Sequence, residues 1–233
     1  NKSRVKSKYM NTNFNNRNLN KPSVKDCPMN DKYESKMTRP LVHNETHENM
    51  IHRYVRNLVK SESDMLNPNL RHSIDLMIKG AFYYPHCICA EKDSNLFDQI
   101  VTELEQANEL NIISWSQHSK IENPRCSKTF NQLIERIAKI FNVVICETRL
   151  NYYKDHTDWK PLHHDSHAYV DESKLREDFT IGISLGATRE LVFMHEQSGN
   201  KFKFPQKNGD VFAFDKHVNK DFLHGITKSS IQS

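Results

Sequence analysis

The sequence predicts an α+β fold in which helices come first and a run of short strands follows. Three observations carry that prediction. Apolar residues recur at helical spacing in two stripes before Asn142. Beyond Asn142 the text turns rich in β-branched and aromatic residues, and Phe179, Ile181, Ile183 and Leu185 alternate strictly. Gly199-Asn200 and Asn208-Gly209 then supply turn chemistry between short apolar runs. The expected architecture is a β-sandwich or barrel buttressed by helices on one side.

The elements follow in chain order. Residues 1–45 are basic and rich in Asn and Lys, with few large apolar side chains. Such a segment buries too little surface to offset its chain entropy, so disorder is expected, with a basic arm on nucleic acid as the alternative. Residues 46–73 form a helical lead-in, because Met50, Ile51, Tyr54, Val55 and Leu58 keep helical spacing before Asn67-Pro68 breaks the chain. The folded domain is expected over residues 74–233, starting near Ile74. Asp93 or Ser94 can cap a helix with Leu96, Phe97, Ile100, Val101 and Leu104 on its apolar face. A loop holding Trp115, His118 and Asn123-Pro124 follows. Ser127 caps the next helix, whose stripe is Phe130, Leu133, Ile134, Ile137, Ile140 and Phe141. Strands are then predicted at 143–153, 179–186, 191–195, 201–204 and 210–214.

Composition narrows the function classes. The chain has 233 residues, 36% hydrophobic and 27% charged, which suits one domain with a polar extension. No apolar run approaches the ~18 residues of a membrane span, and the N-terminus lacks the apolar stretch of a secretory signal. The first residue is Asn rather than Met, which we read as a fragment or a processed start. Five cysteines, odd in number and irregularly spaced, read as reduced thiols of an intracellular protein in the cytosol or nucleus. A formal charge of +4 permits nucleic-acid contact without arguing for it.

The chemistry concentrates in WKPLHHDSHAY. On an extended strand His163 and Asp165 point to one face, while His164 faces the other way. Pairing His163 with His167 instead would need a helix, which Pro161 and the β-rich flanks disfavour. A third ligand must come from elsewhere, and His224 in DFLHGI stands out, with enough strand between to bring it back. Two histidines and a carboxylate on one face of an octahedron leave positions open for O2 and a bidentate cosubstrate, which suits Fe(II). A closed zinc site is the chemical rival, and it lacks a fourth ligand unless His167 or a cysteine folds in.

At these residues the chain resembles the AlkB-like branch of the Fe(II)- and 2-oxoglutarate-dependent dioxygenases. The resemblance runs from about Gly80 to the C-terminus and is strongest over RLNYYKDHTDWKPLHHDSHAY, FTIGISLGATRELVFMH and NGDVFAFDKHVNKDFLHGI. It implies a double-stranded β-helix (jelly-roll) core, with His163, Asp165 and His224 as metal ligands and no catalytic residue beyond them. Asn151 and Tyr153 match the family's Asn-x-Tyr strand, which binds the cosubstrate. Ser184-Leu185-Gly186 and Leu191-Val192-Phe193 match the strands between. Fe(II), 2-oxoglutarate and O2 are the implied cofactors. The implied reaction is hydroxylation or demethylation of a nucleic-acid or protein substrate. One departure stands out: the family carries a pair of arginines on the strand after its distal His, and ITKSSIQS contains none. A C-terminus truncated before that strand is expected. The alternatives are a catalytically inactive jelly-roll binding module, or a zinc site on the same ligands.

Overall fold

In a computed structural model the chain is described over residues 9–16, 48–56, 67–107, 112–113, 118–166, 169–171, 174–175 and 177–228. Two antiparallel sheets face each other across an aromatic core, and helices cover the outside of the larger one. The arrangement is jelly-roll-like, and the sheets do not close into a barrel. Among the described residues no helix is long and apolar enough to cross a membrane.

The larger sheet has seven strands. In spatial order they are β2 (Ala81–Tyr84), β12 (Val211–Asp215), β9 (Phe179–Gly186), β1 (Tyr9–Asn16), β5 (Cys146–Tyr153), β4 (His118–Glu122) and β3 (Ile112–Ile113). The smaller sheet runs β11 (Lys201–Gln206), β10 (Arg189–His195), β13 (Phe222–Ile226) and β6 (Lys160–His163). A separate hairpin pairs β7 (Tyr169–Asp171) with β8 (Lys174–Leu175).

The alternation in β9 sorts the two faces of the larger sheet. Ile181, Ile183 and Leu185 point outward, onto α3 (Asn95–Gln106) and α4 (Lys128–Phe141). Both helices carry the expected apolar stripe, with Ile100, Leu104, Phe130 and Ile137 fully buried. Ser127 caps α4 as its position predicts, its hydroxyl accepting from the Phe130 amide at 3.0 Å. The opposite face meets the smaller sheet through Tyr153, Phe212 and Phe214, packed on Leu191, Phe193, Phe202, Phe204, Phe222 and Ile226.

Four expectations change. The segment expected to be without structure contributes β1, which pairs antiparallel with β5 on one side and β9 on the other. The partners are main-chain groups, so a strand can form between two open ladders where composition gives no apolar signal. The rest of that segment, and Leu58, lie outside the described residues. Asn67-Pro68 does not break a helix but starts one. Asn67 caps α2 (Pro68–Gly80), accepting from the Asn69 and Leu70 amides, and Pro68 sits in the first turn where its missing N–H costs nothing. No packing boundary falls near Ile74. Ile51 and Val55 of α1 (Ile51–Arg56) are buried in one cluster with Met77 and Tyr83, and Asn49 Oδ1 accepts from the Tyr83 amide at 3.0 Å. Finally, the expected loop before Asn123 contains β4, while Trp115 lies outside the described residues.

Candidate metal centre

The register of β13 against β6 sets His224 directly opposite His163. Asp165 follows two residues after His163, and one ligand atom from each of the three lies within 4.8 Å of the others. His163 Nε2 is 3.6 Å and His224 Nε2 3.5 Å from the same carboxylate oxygen of Asp165. These separations are long for hydrogen bonds and suited to ligands around a shared cation.

The surroundings prepare these atoms as ligands. The Nδ1–H of His163 donates to the Pro161 carbonyl at 2.9 Å, so Nε2 keeps its lone pair toward the centre. Both ring nitrogens of His224 are buried without a hydrogen-bond partner. Burial pulls the His224 imidazole down to about 4; Asp165 opposes that shift and His163 adds to it. A neutral imidazole with an orphaned nitrogen beside a buried carboxylate fits a bound metal ion, because such polar atoms are otherwise costly to bury. No fourth His, Cys, Asp or Glu joins the group among the described residues. His164 faces away as expected, its Nδ1–H donating to the Asn219 carbonyl at 2.6 Å.

Asn219 is a positioning residue that sequence reasoning missed. Asp215 caps α5 (Lys216–Asp221), accepting from the His217 and Val218 amides, and the helix delivers a buried Asn219 against the His-x-Asp segment. Its Oδ1 accepts from the Asp165 amide at 2.9 Å, and its Nδ2 donates to the Asp165 carbonyl at 3.2 Å. A lone Asn in VNKDFLHGI carries no signal for such a clamp.

A pocket opens beside the triad, lined by Asn151, Tyr153, Lys160, Gly182, Leu191, Gln206 and Ile226 together with His163 and His224. Asn151 and Tyr153, the expected cosubstrate residues, are both part of this lining. His118 holds this wall: its Nε2 lies 3.1 Å from Asn151 Oδ1, and its ring stacks on Tyr153 at 5.1 Å. The inward residues of β9 are small, and Gly182 leaves the space that a larger side chain would fill.

Lys160, also missed, is the one Lys or Arg among the lining residues and is only 8% exposed. Burial pulls its ammonium down to about 8; Asp165 opposes that shift, while Arg149 and Lys120 reinforce it. On a regular strand Lys160 and His163, three residues apart, would face opposite ways. The ladder shifts here: His163 pairs with His224, but Lys160 pairs with Ile226, so three steps of β6 match two of β13. This bulge turns Lys160 back into the pocket. Gly225 lies across from it, and a Cβ there would sit 2.6 Å from the carbonyl oxygens of both Lys160 and Pro161.

Trp159 and His156 are not among the residues that line the pocket. Trp159 is half-buried with Lys228 Nζ 5.4 Å from its ring centre, and His156 is half-buried near the surface. His167 and the side chain of Tyr169 lie outside the described residues.

No protein-family model matches the chain, and no curated protein matches it. Among solved structures it is similar to the crystal structure of a Pseudomonas putida prolyl-4-hydroxylase, with a TM-score of 0.48 and 12% sequence identity, covering 78% of this chain and 93% of that one.

Proposed function

We propose that the chain is an Fe(II)- and 2-oxoglutarate-dependent dioxygenase of AlkB-like type, with a double-stranded β-helix core. The observation that carries this reading is the convergence of two imidazoles and one carboxylate at a pocket, with Nε2 of both His163 and His224 unpartnered. Three protein ligands, with no fourth among the described residues, suit a centre with open positions. Iron(II) held by His163, Asp165 and His224 would supply O2 activation, with 2-oxoglutarate as the source of electrons, for oxidation of a substrate C–H bond. Asn151 and Tyr153 are read as cosubstrate contacts on the adjoining wall.

The chain's own part is positioning and exclusion of water. Pro161 fixes the tautomer of His163, and Asn219 holds the backbone of Asp165. Phe193 stacks on His224 at 5.4 Å and Phe214 packs on it at 5.0 Å, which leaves the ring one orientation and keeps that side dry. The substrate group is read as a nucleic-acid or protein C–H bond, hydroxylated or demethylated.

The test is turnover. Protein reconstituted with Fe(II) under air should convert 2-oxoglutarate to succinate, and H163A and D165A should abolish it. Tight Zn(II) binding with no turnover of 2-oxoglutarate would sink the reading in favour of a zinc site or an inactive module.

A further inference from the structure

We infer that His118 is a positioning residue that sets the Asn151 amide with its NH2 end toward the pocket, a role that rests on the oxygenase reading and adds a residue of β4 to it. An asparagine amide has two ends of nearly equal size, so its hydrogen bonds decide which end points where. Here the Oδ1 end is turned to His118, 3.1 Å from its Nε2. An amide oxygen only accepts, so the imidazole donates from Nε2. The Nδ2 end is then the side-chain group that Asn151 has left for the pocket it lines, and that end only donates.

The strand register explains how one ring serves two residues. Ser119 of β4 pairs with Tyr152 of β5, which brings His118 opposite Tyr153, on the face that Tyr153 shares with Asn151. The imidazole stacks on the Tyr153 ring, with 16° between the planes and 5.1 Å between centres, and that contact holds Nε2 on the amide. Both His118 and Asn151 are buried, so water does not compete for Oδ1. Gln206, also part of the lining, is set the same way. The Ser184 hydroxyl donates to its Oε1 at 2.9 Å, and its Nε2 lies a long 3.4 Å from the Pro205 carbonyl. Each amide commits its acceptor inside the protein and keeps N–H for the cavity. The ligand that complements such a lining is rich in acceptor oxygens, as a 2-oxo dicarboxylate is. A flipped Asn151 would set an oxygen against it.

The experiment separates the donor from the ring. H118F keeps a ring on Tyr153 and removes the donor, whereas H118Q places an amide N–H near the position of Nε2 and removes the stack. Binding of 2-oxoglutarate is measured by calorimetry to Zn(II)-loaded wild type and both variants, with Zn(II) affinity and thermal melting alongside. H118F should weaken 2-oxoglutarate about 10- to 100-fold, and H118Q should recover most of that loss. Zn(II) affinity should stay unchanged in both. In turnover assays H118F should raise KM for 2-oxoglutarate with little change in kcat. Long-range proton–nitrogen NMR on the folded wild type should show a proton on Nε2 of His118, a readout that needs no variant. A neutral Nδ1–H tautomer, wild-type binding by H118F, or equal losses in H118F and H118Q would each overturn the positioning role and leave the oxygenase reading standing. If wild type binds no 2-oxoglutarate, both readings fall together.

Discussion

The two faces of the larger sheet differ in kind. Outward, Ile181, Ile183 and Leu185 meet the apolar stripes of α3 and α4 in packing contacts. Inward, the same strand presents Thr180, Gly182 and Ser184 to a space shared by aromatic rings, a buried lysine and the candidate metal ligands. The outer face is apolar packing throughout. The inner face is divided: one part is a close-packed aromatic cluster around Phe193, Phe204 and Phe212, and the other is polar and open. Stability and chemistry are therefore separable on a single strand by the parity of the residue.

That separation can be broken by experiment. The largest effect is expected at the centre itself, where H224A should abolish Fe(II) binding, read by metal titration, while the fold persists in circular dichroism. Ile183→Ala, on the outer face, should cost about 2–5 kcal/mol in denaturant unfolding and leave metal affinity intact. A variant there that loosened the metal would show the faces to be coupled. N219A should weaken metal binding roughly 10- to 100-fold, because it releases the Asp165 backbone, with a smaller effect on unfolding. Retention of wild-type affinity in N219A would reduce the clamp to a packing contact. The smallest change is S127A, which removes the α4 cap and should lower stability by about 1 kcal/mol without touching turnover.

Legibility in the sequence follows the same division. Regular periodicity belongs to the outer face, so α3, α4 and β9 could be read from their stripes alone. The triad could be read because His163 and Asp165 stand two apart and His224 sits in a separate short strand. Lys160 could not, since strand parity places it opposite His163, and only the bulge in register reverses that. Asn219 and His118 act through tertiary contacts that no local spacing encodes. Helix α2 was hidden behind a proline that reads equally as a break or a first turn. Strand β4 was hidden in a polar stretch whose pairing partner, β5, lies about 30 residues on.

Strand β1 has a consequence for how the domain is made. Tyr9 pairs with Tyr153 on one side and Gly186 on the other, so the first described strand lies between two that follow it by about 130 residues or more. During synthesis it must wait for both, and closing such long loops is slow relative to local helix and hairpin formation. The centre of the sheet is thus its last-assembled part. Until then the edges of β5 and β9 stay open to any extended segment, in the same chain or another.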